Sequence, residues 1–77
     1  MEFCRHALIQ MEIRGIKAAD VIRALRGPTE TGLPCDMFRT RIRRQISRYK
    51  ALDVVYEERD DRILVITAIT IDLKPRR

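Results

Sequence analysis

Arg5-His6-Ala7-Leu8-Ile9-Gln10-Met11-Glu12-Ile13-Arg14-Gly15-Ile16, followed by Asp20-Val21, is the stretch on which the fold turns. Ala7, Leu8 and Met11 make an apolar stripe at helical spacing, and Ile9 and Ile13 widen it. A helix over 5–14, covered on more than one side, is therefore expected. Gly15 follows its last residue, where a left-handed cap needs no Cβ. A second helix is expected over 18–26. Its Ala18, Val21, Ile22 and Leu25 follow i, i+3, i+4, i+7, while Lys17, Asp20, Arg23 and Arg26 face away. Gly27-Pro28 stops it, so the two helices form a short hairpin packed by these stripes.

Residues 27–35 contain Gly27, Pro28, Thr29, Thr31, Gly32 and Pro34 and read as a loop. The period then changes. Phe38, Thr40 and Ile42 alternate with Arg39, Arg41 and Arg43, the pattern of a half-buried strand. A helix competes for 36–50, since Phe38, Ile42, Ile46 and Tyr49 also share helical spacing and Asp36 is placed to cap it. The β-branched and aromatic content, and the strands that follow, favour a strand. Leu52, Val54 and Tyr56 mark a second strand, and Glu57-Glu58-Arg59-Asp60-Asp61 a hairpin turn. Ile63 to Ile71 is apolar on both faces, as expected of the central strand. Lys74-Pro75-Arg76-Arg77 reads as a frayed basic tail. The expected fold class is α+β: an N-terminal two-helix hairpin packed on a small antiparallel sheet of three to four strands.

A chain of 77 residues makes one domain with a marginal core. Strand-like Glu2-Phe3-Cys4 follows Met1, with no charged segment leading into an apolar run. Neither a signal peptide nor a membrane span is expected, and a cytoplasmic location is the default. Cys4 and Cys35 match no metal-ligand spacing and are expected as free thiols in a reducing compartment. No metal and no cofactor are expected, and oligomeric state stays open. The formal net charge is +5. Residues 36–50 hold six basic side chains against Asp36 alone, while the rest of the chain balances ten against ten. Such a segment repels itself unless a polyanion or an acidic partner relieves it.

The pattern His-Ala-x-x-x-Met-x-x-Arg-Gly-Ile-x-x-x-Asp-Val, carried by His6, Ala7, Met11, Arg14, Gly15, Ile16, Asp20 and Val21, resembles the DUF4258 family of small bacterial proteins. Val54, Val55, Tyr56, Val65 and Thr67 extend the likeness into the strands. This family is considered part of the wider RelE/BrnT-like group, whose well-known members are ribonuclease toxins paired with antitoxins. The resemblance implies a RelE-like two-helix hairpin on an antiparallel sheet and an RNA-directed activity. Three positions depart from the family pattern. Cys4 stands where Ser or Thr is common, and a thiol caps a helix poorly, so a loose start to the first helix is expected. Lys17 replaces a Ser or Thr before the second helix, leaving Asp20 without a capping-box partner. Gln10 occupies a position that is often Arg, one turn beyond His6.

Two functions are expected from these residues together with what the resemblance implies. The first is a toxin-type, metal-independent endoribonuclease, in which a ribose 2′-hydroxyl attacks the adjacent phosphate. His6 is the one imidazole and the residue type suited to proton transfer. Arg41 and Tyr56 join it as catalytic candidates, with the cations stabilising charge on phosphate. Arg39, Arg41 and Arg43 are expected on one strand face about 6–7 Å apart. Arg14, Arg44 and Arg48 complete the nucleic-acid-binding set. The second function is a non-catalytic module of the same fold that binds RNA or an acidic antitoxin-like protein. Each residue also has a plain structural reading. His6 is suited to closing the helix entry, Arg14 to satisfying the helix C-terminus, and the arginine strand to guarding a sheet edge. Tyr49 and Tyr56 are suited either to stacking on bases or to packing with the hydroxyl at the surface. The acidic cluster at 57–61 reads as a solvated tip.

Overall fold

In a computed structural model, which describes residues 1–74, the chain is an α+β domain of two helices and one five-stranded mixed sheet. The elements run β1 (Glu2–Phe3), α1 (Arg5–Arg14), α2 (Ala18–Arg26), β2 (Glu30–Leu33), β3 (Thr40–Ser47), β4 (Lys50–Arg59) and β5 (Arg62–Asp72). The sheet order is β1-β5-β4-β3-β2. β2 to β5 pair antiparallel, and β1 adds a parallel edge through Glu2 opposite Leu64 and Phe3 opposite Val65. The expected tail reaches past Lys74, and residues 75–77 lie outside the described residues.

Both helices occupy their expected spans. α1 packs over β5, and α2 packs over β4 and β3. Their inward residues are Ala7 and Met11 from α1 and Val21 and Ala24 from α2, set against Ile42, Leu52, Val54, Val65 and Ala68 of the sheet. The expected wider covering of α1 is absent: Leu8, Ile9 and Ile13 face outward, with Ile13 72% exposed. Contact with the sheet alone sets the buried stripe, so only one side of the helix is used. Cys4 caps α1 despite its thiol. Its Sγ accepts the Ala7 amide at 3.4 Å and donates to the Ile66 carbonyl at 3.2 Å. Asp20 reaches back to the Lys17 amide at 3.0 Å, supplying half of a capping box. Gly15, at φ 68°, closes α1, with its own amide on Glu12 and the Ile16 amide on Met11.

The sheet bears out one expectation and corrects four. Residues 40–47 form a strand, which settles the competition with a helix. Phe38 does not point inward from it: the strand begins at Thr40, and Met37 and Phe38 are 90% and 82% exposed. The expected loop at 27–35 contains β2, a short edge strand that pairs Glu30 with Arg43 and Leu33 with Arg41 across an irregular register. Gly32, at φ 68°, sits within that irregularity, so no alternating pattern marks the strand. The middle strand is β4, not β5. α1 covers one face of β5, and the strand's outer flank is bonded through Glu2, Phe3 and the Cys4 amide, which donates to the Val65 carbonyl. The hairpin turn narrows to Asp60-Asp61, with Arg59 paired to Arg62 and Asp60 at φ 55°. Glu57 therefore belongs to β4 and is buried, unlike the solvated tip expected of it.

Candidate functional site

Alternation along β3 sorts its side chains onto two sides of the sheet. Ile42 lies in the core beneath the helices, and Arg44 donates to the Gly27 carbonyl at the end of α2. Arg41 and Arg43 therefore point to the opposite, helix-free side. Asp53 follows the same rule on β4, between the core residues Leu52 and Val54, and is fully buried. Both arginines close over it. The Arg41 Nε donates to Asp53 Oδ2 at 2.7 Å, and the Arg43 Nε donates to Oδ1 at 2.7 Å. A second Arg43 nitrogen reaches Oδ2 at 3.1 Å. Bonding to Asp53 holds the Arg43 guanidinium above the usual arginine range, with burial opposing.

The network extends along the face. Arg39 donates to Glu57 Oε1 at 3.3 Å and stands 3.7 Å from Asp36. Arg59 pairs with Glu57 Oε2 at 2.8 Å, and Arg43 stands 3.7 Å from Glu30. Four arginines and four carboxylates thus form a neutral lattice. The expected cationic track along residues 39, 41 and 43 is internally compensated by neighbours that strand pairing supplies. Asp53 is the residue that sequence reasoning missed. Its signal was a lone acid inside Ala51-Leu52-Asp53-Val54-Val55, on the alternation that faces the arginines.

The proposed catalytic set does not converge. His6 is exposed on α1, on the helical side of the sheet, whereas Arg41 lies on the other side. Tyr56 is half-buried against the core on the helical side. Gln10, one turn beyond His6, is half-buried on the same helix. No group of three or more His, Cys, Asp or Glu side chains able to hold a metal ion occurs among the described residues. Cys4 and Cys35 are free thiols. No helix among the described residues is long and apolar enough to cross a membrane.

Positive charge without an acidic partner gathers elsewhere. Arg14, Arg23 and Arg44 line a cleft of about 360 Å³ under the α1–α2 connection. Gly15, Ile16, Asp20, Gln45, Ile46, Leu52 and Thr70 complete its wall. Among the described residues, none of the three arginines forms an ion pair. Arg48 and Lys50 stand at the adjoining β3–β4 turn. The Arg48 guanidinium lies 5.5 Å from the ring centre of Tyr49, which is 47% exposed. Arg14 and Arg44 of the expected binding set thus line the cleft, with Arg48 at the adjoining turn, while Arg41 and Arg43 lie on the opposite side of the sheet. Arg23 joins the cleft although its helical position marked it only as outward-facing.

Comparison with protein-family models, with curated proteins and with solved structures returned no match.

Proposed function

We propose that this chain is a non-catalytic binding module for single-stranded nucleic acid, with RNA as the ligand its resemblance implies, acting in the reducing cytoplasm. One observation carries the reading: arginines without an acidic partner line a cleft whose wall runs through Gln45 and Ile46 toward the turn that bears the exposed Tyr49, while Arg39, Arg41 and Arg43 are neutralised by carboxylates. Guanidinium groups attract phosphate, and an exposed aromatic ring gives an unpaired base a surface on which to stack. An acidic peptide would use the cations but has no need of the ring. Separation of His6 from Arg41 by the sheet weighs against the endoribonuclease alternative, because a proton carrier and a phosphate clamp must meet at one bond.

Binding of a short single-stranded RNA should weaken with salt. About five phosphate contacts give a slope of log affinity against log salt near −3 to −4. A slope near zero would point to a protein partner instead. Incubation with RNA in the presence of EDTA should leave the RNA intact. Cleavage that disappears in His6→Ala would replace the binding reading with the nuclease one.

A further inference from the structure

Resting on that nucleic-acid reading, we infer that the cleft seats a terminal phosphomonoester, the phosphate at a strand end or on a mononucleotide, in preference to a backbone diester. The lining charge is the first reason. Three arginines and one carboxylate, Asp20, line the wall, a formal +2, and one Arg44 nitrogen is anchored on the Gly27 carbonyl. A phosphomonoester carries close to two negative charges near neutral pH and offers three acceptor oxygens, whereas a diester carries one charge. Asp20 is held by the Lys17 amide and keeps its place in the wall.

Donor supply is the second reason. The amides of Gly15 and Ile16 are spent on Glu12 and Met11, closing α1. Any anion in the cleft is therefore held by side chains, and arginine forks suit the paired oxygens of a terminal phosphate. Size is the third. A cleft of about 360 Å³ exceeds a bare phosphate and leaves room for an attached sugar or base. Ile16, Ile46 and Leu52 give that remainder an apolar wall, while Thr70 and Gln45 offer polar contacts.

The test compares three oligonucleotides of one sequence by calorimetric titration of the full chain: 5′-phosphorylated, 3′-phosphorylated and hydroxyl at both ends. Adenosine 5′-monophosphate and adenosine are titrated alongside. One phosphorylated oligonucleotide should bind about tenfold or more tightly than the hydroxyl form, as charge-assisted hydrogen bonds imply. The double variant Arg14→Ala, Arg23→Ala should reduce that ratio to about one, with the phosphorylated form losing more affinity than the hydroxyl form, which also weakens. Both side chains are exposed, so circular dichroism should be unchanged. Equal affinity for all three oligonucleotides overturns the phosphate-end inference and leaves the nucleic-acid reading standing. Adenosine monophosphate that binds through Arg14 and Arg23, with no oligonucleotide bound, retains the phosphate site and removes the nucleic-acid reading. Silence from every probe removes both.

Discussion

At the scale of single residues, Asp53 is the most deeply buried charge among the described residues. It is fully buried, and its two oxygens are taken up by Arg41 and Arg43. Asp53→Ala would strip both guanidiniums of their partner. Loss of one member of a fully buried pair costs about 3–5 kcal/mol, and the partial exposure of these arginines places the expected loss near the lower end. Thermal unfolding should show a fall in Tm of more than about 10 °C. Arg41→Ala should cost less, because Arg43 continues to satisfy both oxygens, and a double-mutant cycle reads the coupling directly. Cys4 invites a second measurement. Serine would accept the Ala7 amide at least as well, so Cys4→Ser should hold or raise stability. Cys4→Val, which removes the cap, should lose about 1 kcal/mol in denaturant unfolding.

At the scale of elements, the helices were legible and parts of the sheet were not. Helical spacing and two glycine stops placed α1 and α2, since both signals are local. Alternation also placed Ile42 inward and Arg41 and Arg43 outward. β2 was hidden because its pairing residues are an acid and a half-buried leucine around a kinked glycine, with no period to read. The middle position of β4 was equally hidden, because Asp53 and Glu57 broke its apolar run. Their meaning depends on which strand lies beside them, and that is a non-local fact. The same limit explains the misjudged cationic track: charge counted along the chain ignores compensation across a sheet. The exposed stripe of α1 shows how far a helical pattern overstates covering. Ile13→Ser should change stability by less than about 0.5 kcal/mol. Leu52→Ala, beneath α2 and 1% exposed, should cost about 2–5 kcal/mol. Similar effects from the two substitutions would place the core wrongly.

For the whole molecule, the sheet divides structure from proposed function. The helix-free side carries a neutral lattice of ion pairs, and the surplus cations gather at the cleft beneath the α1–α2 connection. That division predicts unequal responses to mutation. Arg14→Ala and Arg23→Ala should weaken RNA binding with little change in Tm. Arg41→Ala should lower Tm with little change in binding once measured well below that Tm. The reverse assignment would move the ligand to the other side of the sheet.

One arrangement has a consequence for how the protein is made. Glu2 and Phe3 lie beside Leu64 and Val65, so among the described residues the first strand pairs with the last. Ribosomes add roughly 5–20 residues per second, which leaves the amino-terminal segment waiting seconds for that partner. Helices of 10 and 9 residues are too short to persist meanwhile without a surface beneath them. A nascent chain halted at Asp61 should therefore show little helical circular dichroism. Acquisition of order should come late and together, once Arg62–Asp72 has left the ribosome.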